Sequence, residues 1–107
     1  MNHLSREGVS AMKPSIALEQ HREAIRQIVA RHRAANARVF GSVLRGEDTH
    51  ESDLDLLIDP TDETTLFDIG AIQAEVSELL GVQVDVLTPG ALPDKWKLKV
   101  LNEARAV

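Results

Sequence analysis

Asp53 and Asp55 stand two positions apart in SDLDLLI, Ser52 to Ile58, and Leu54, Leu56, Leu57 and Ile58 surround them. A carboxylate drawn out of water is costly unless it is paired or holds a cation. In a strand, residues i and i+2 leave the same face, roughly 7 Å apart along the chain. The pair therefore suits a hard divalent cation such as Mg²⁺, which takes few protein oxygens and keeps positions for water and phosphate. A third carboxylate, Asp85, lies in VQVDVL, Val82 to Leu87, whose valines alternate as in a strand. If the two strands are close in one sheet, Asp85 shares the face of Asp53 and Asp55. Three converging carboxylates repel, and at least one then titrates above its ordinary range unless a cation joins them.

Upstream, Gly41 and Ser42 directly follow an apolar run, Val39-Phe40. Glycine lets a backbone come close to a ligand, and serine adds a hydroxyl donor. Backbone amides at such a turn form a concavity for phosphate. Arg45, three residues on, can reach the same oxygens. The histidines fit less well. His3 lies in the polar N-terminal stretch, His50 in a loop, and His21 and His32 read as helical packing residues. A calcium-binding EF-hand loop is excluded by Leu54, Leu56 and Leu57 and by the missing turn glycine.

The elements that must position these residues follow from periodicity. Leu18, Ile25, Ile28, Val29 and His32 recur near helical spacing after Pro14, which predicts a helix over about 15–34. Its Arg26, Arg31 and Arg33 suit the negative end of the helix dipole. A short strand is predicted at 37–40, a helical turn at 43–44, a loop over 46–52 and a strand over 54–58 stopped by Pro60. Leu66, Ile69, Ile72, Val76, Leu79 and Leu80 mark an amphipathic helix capped by Gly81. A third strand is predicted over 82–87, and a last helix over about 93–104 with Pro93 in its first turn. Leu92, Trp96, Val100 and Ala104 recur four apart there. Trp96, the sole tryptophan, reads as a core anchor ahead of an interface residue. Lys95, Lys97 and Lys99 read as a solvated face. The order helix, strand, loop, strand, helix, strand, helix defines an α/β (α+β) domain with a small sheet.

The chain's 107 residues fit one domain, 14–107, after a polar N-terminal extension, 1–13, expected to be disordered. Met12 is a candidate alternative start. A net charge of −5 argues against broad nucleic-acid binding and suits a basic protein partner or a metal-bridged phosphate ligand. Without cysteine there is no disulfide and no thiolate metal site. No transmembrane run or signal-peptide core is present, and the protein is read as cytoplasmic.

Gly41-Ser42, the ten-residue spacer VLRGEDTHES, and Asp53-Leu54-Asp55 together resemble the signature of the DNA polymerase beta-like nucleotidyltransferase superfamily. The wording RVFGSVLRGE and SDLDLLID resembles in particular its minimal nucleotidyltransferases, over about Pro14 to Ala104. The resemblance implies a small mixed β-sheet flanked by helices, with the site on the exposed sheet face. It implies that Gly41 and Ser42 hold the β- and γ-phosphates of ATP, aided by Arg45. It implies two Mg²⁺ ions bound by Asp53, Asp55 and Asp85, with Asp85 also helping to deprotonate the acceptor. Minimal nucleotidyltransferases resemble the antitoxin half of a bacterial pair whose other half is a HEPN-family ribonuclease toxin. The implied activity is protein adenylyltransfer, ATP giving AMP to a tyrosine of that toxin. The last helix is the candidate interaction surface. Two other readings remain: an antitoxin that neutralises by direct binding with weak catalysis, and an antibiotic-modifying nucleotidyltransferase, which lacks room here for an acceptor domain.

Overall fold

In the computed structural model the described residues are 12–107, and they form a four-stranded mixed sheet with helices on it. The elements run α1 (Pro14–Gln20), α2 (Arg22–Arg31), β1 (Ala34–Phe40), α3 (Ser42–Arg45), β2 (Leu54–Pro60), α4 (Leu66–Leu80), β3 (Val84–Leu87), a 3₁₀ turn (Pro89–Ala91), α5 (Asp94–Glu103) and β4 (Arg105–Ala106). The strand order is β3-β2-β1-β4. β2 pairs antiparallel with β1 and parallel with β3, the latter requiring the crossover that α4 provides. β4 pairs antiparallel with β1.

One sheet face carries the core. Val39, Leu54, Leu56, Ile58, Val84 and Val86 pack there against Leu18, Ile25, Ile28, Val29, Ile72 and Val76 of α1, α2 and α4. Strand alternation accounts for this assignment, and the expected core triplet Leu54, Leu56 and Ile58 is fully buried. Leu57 is fully buried too, on the opposite face, so that face is only partly open.

Several boundaries differ from the sequence expectation. The helix expected over 15–34 is two helices, broken at His21, whose φ −131 leaves the helical region. β1 begins at Ala34, not Ala37. Arg33 (φ 65) makes the turn into it, held by the Thr61 and Thr64 hydroxyls donating to its carbonyl. Ala34 and Ala35 favour helix intrinsically, yet pairing with Pro60 and Asp59 overrides that preference. The register shifts between Ala35 and Arg38, with Asn36 at φ 58, a conformation that asparagine tolerates.

α4 starts with a capping box: Thr65 accepts from the Asp68 amide and Asp68 accepts from the Thr65 amide. Gly81 ends the helix at φ 71, as expected. Leu66 and Leu79, counted on its apolar stripe, are exposed instead. The third strand starts at Val84 rather than 82, and Pro93 precedes α5 instead of sitting in its first turn. β4 had no sequence signal, being two residues long. Val107 anchors that end: its side chain joins the core, and Arg26 donates to its carbonyl at 2.5 Å.

The expectation for 1–13 falls on residues outside those described, apart from Met12, which packs against the core, and Lys13, which precedes α1. No helix among the described residues is long and apolar enough to cross a membrane.

Candidate active site

The face opposite the main core gathers the chemistry. Phe40, Asp55 and Asp85 form one row across β1, β2 and β3, because Phe40 pairs with Asp55 and Asp55 with Asp85. Residues paired in this way point to the same side, about 4.8 Å apart between strands. Asp53, two residues before Asp55, flanks the row at the mouth of β2. The Leu54 amide donates to the Gln83 carbonyl at 2.9 Å, which fixes the entry of β2 beside β3. The structure thus brings together the three carboxylates singled out in the sequence.

Their proximity has an electrostatic cost. Asp55 is half-buried, and its carboxyl is pushed up to about 6, first by loss of water, then by Asp85 and Asp53, with Arg45 opposing. Asp53 is exposed and Asp85 half-buried. Among the described residues no three ligating side chains already stand at metal-binding geometry. Oxygen-only donors still fit a hard cation of the Mg²⁺ type, and repulsion among them is what such a charge relieves.

Gly41 abuts this row. Its φ 80 and ψ −155 lie where only glycine is comfortable. A Cβ there would stand 2.4 Å from Asp55 Oδ2, closer than any real contact allows. Ser42 opens α3, which buried Val43 pins to the core. The Glu47 amide returns to the Ser42 carbonyl at 2.9 Å, closing the turn. The loop leading to Asp53 is tied down by Asp48, a buried carboxylate that accepts from the Ser15 amide at 2.8 Å. Asp48 has no distinctive sequence context, and only the fold reveals its role.

Arg45 does not point free into solvent. Its Nε lies 3.0 Å from Glu47 and its Nη1 3.8 Å from Glu103 of α5. The histidines lie apart from this face: His32 meets Glu75 at 2.6 Å between α2 and α4, and His50 is exposed in the loop.

Trp96 departs from expectation. It is 49% exposed and anchors no core, since α5 buries none of its residues. Lys95 and Lys99 are exposed, as expected of a solvated face, and stand 5.3 and 5.8 Å from its ring centroid. Sequence pattern missed the exposure of Trp96 because a four-residue apolar spacing does not tell a buried face from an exposed one.

Comparison with known proteins bears on the family and the fold. A model of the nucleotidyltransferase domain matches residues 18–107. A protein of Methanocaldococcus jannaschii, provisionally named protein adenylyltransferase MJ0435, is 36% identical over 77 residues, 72% of this chain and 83% of its own length. Protein adenylyltransferase MntA of Thermococcus cleftensis is 34% identical over 65 residues, 61% of this chain and 66% of its own. A solved structure provisionally titled a minimal nucleotidyltransferase superposes with TM-score 0.79 at 40% identity, over 87% of this chain and 95% of that one. A toxin–antitoxin crystal structure with AMP-PNP shares the fold, with TM-score 0.67 at 15% identity over 78% of this chain and 69% of that one.

Proposed function

The chain belongs to the nucleotidyltransferase domain family, and from that membership we propose that it is a protein adenylyltransferase serving as an antitoxin. The observation that carries the reading is the row Asp55–Asp85, with Asp53 beside it, set against a glycine turn that only glycine can make. The names borne by its relatives support the activity, and the toxin–antitoxin assemblies that share its fold support the setting.

In this reading the Ser42 hydroxyl and the Gly41–Ser42 amides take the β- and γ-phosphates of ATP. Arg45 leaves Glu47 and Glu103 to neutralise part of their charge. Asp53, Asp55 and Asp85 would hold two Mg²⁺ ions, which when bound supply charge neutralisation at the entering and leaving oxygens. The acceptor is a tyrosine hydroxyl of a partner toxin of the HEPN family. Its oxygen forms a bond to the α-phosphorus, the bond from that phosphorus to pyrophosphate breaks, and the phenolic proton passes toward Asp85. Most of the rate comes from holding these groups in line and balancing their charge.

The test is the intact mass of a HEPN-family protein that forms a complex with this chain, after incubation with the protein, ATP and Mg²⁺. Increments of AMP that vanish with Asp53→Asn support the reading. A tight complex with unchanged mass would make the protein an antitoxin that works by masking.

A further inference from the structure

The nucleotide proposed above has its phosphates placed and its base unassigned. We propose that Trp96 is the platform on which the base of that nucleotide stacks, which rests on the nucleotidyltransferase reading. A cavity of about 140 Å³ lies between the end of β1, the glycine turn and α5, with Phe40, Gly41, Arg45, Trp96, Lys99 and Glu103 in its lining. Phe40 belongs to both the cavity and the row of Asp55 and Asp85, and Gly41 lines the cavity and abuts Asp55, so a ligand whose phosphates lie at the turn can reach the indole without crossing the protein. The volume is far below the roughly 300 Å³ at which sites for whole drug-sized ligands begin, and matches one planar ring system.

The chemistry of the lining agrees. Trp96 and Phe40 are aromatic, and the chain has only three aromatic residues if Phe67 is added. Phe67 is 88% exposed on α4, outside this cavity. Trp96 is half exposed, and what covers its ring is the ammonium groups of two exposed, flexible side chains, Lys95 and Lys99, which a stacking partner can displace. A base sliding onto the ring takes the place of Lys99, whose ammonium is then released beside the incoming phosphates. Stacking reads the π face rather than the hydrogen-bonding edge, so it tolerates different bases. ATP and GTP should therefore bind within about threefold of each other.

Trp96 is the only tryptophan, so intrinsic fluorescence reports on this residue alone. The full chain with Mg²⁺ is titrated with ATP and, separately, with inorganic tripolyphosphate, and affinities are measured in parallel by calorimetry. ATP should quench the fluorescence, whereas tripolyphosphate should bind without quenching. Trp96→Ala should weaken ATP about tenfold and leave tripolyphosphate unchanged, and Trp96→Phe should restore most of the loss. Unchanged tripolyphosphate affinity also certifies that the variant is folded. Wild-type ATP affinity in Trp96→Ala overturns the stack, and so does equal binding of ATP and tripolyphosphate to the wild type, while the nucleotide reading survives both. Loss of transfer with ATP affinity intact would give the cavity to the acceptor side chain and likewise overturn the stack. Binding of neither ligand to the wild type would bring down both proposals.

Discussion

Asp55 pays for its place beside two other carboxylates. Its carboxyl, raised from 3.8 to about 6, favours the protonated form in the folded state. The stability it lends is therefore complete below about pH 4 and is lost as pH rises through about 6. With metal chelated, Asp55→Asn should stabilise the fold at pH 8 by about 1 kcal/mol, a value discounted for solvent screening of a half-exposed group. Thermal denaturation should show this as a rise of roughly 4 to 8 °C at pH 8 and no change near pH 4. An equal rise at both pH values would mean that repulsion is not the cause. At Gly41, alanine puts a methyl against Asp55 and forces a strained backbone. Gly41→Ala should lower adenylyl transfer at least about tenfold, as expected when reacting groups shift by about 1 Å. Wild-type rates would show that the close approach is dispensable. The carboxylates and the Gly-Ser turn were legible in the sequence because their spacing is fixed by strand alternation and a tight turn. The exposure of Trp96 was not, because nothing local distinguishes an aromatic ring that fills a core from one that stays half exposed.

Among the elements, α4 carries the crossover that makes β2 and β3 parallel and so sets Asp85 beside Asp55. Its first turn depends on the reciprocal bonds between Thr65 and Asp68. Thr65→Ala should cost about 1 kcal/mol of folding stability, measured by urea denaturation, with little change in slope. An unaffected midpoint would show that other contacts hold the turn. Capping and periodicity made α4 and Gly81 readable from sequence. The start of β1 was hidden because Ala34 and Ala35 say helix locally, and only their partners in β2 make them strand. The break at His21 was hidden too, since the spacing of Leu18 and Ile25 runs through it unchanged.

Across the whole molecule, charge decides what can approach. The chain is net −5, and three of its carboxylates face the place proposed for a strongly anionic ligand. Removing divalent metal should therefore weaken ATP by more than about tenfold in calorimetry with EDTA, a loss that added NaCl recovers in part through screening. Affinity that is indifferent to chelation would argue that the carboxylates do not act as metal ligands.

α5 buries none of its own residues, although it supplies one wall of the Trp96 cavity. Lifting it off the sheet exposes little apolar surface, so that opening requires much less free energy than unfolding the domain. In native-state hydrogen exchange, amides of Asp94–Glu103 should lose protection well ahead of those in β2, and nucleotide should slow them selectively. The wall of the site would then behave as a separate foldon, able to detach and re-form around a ligand while the sheet beneath keeps its carboxylates in register.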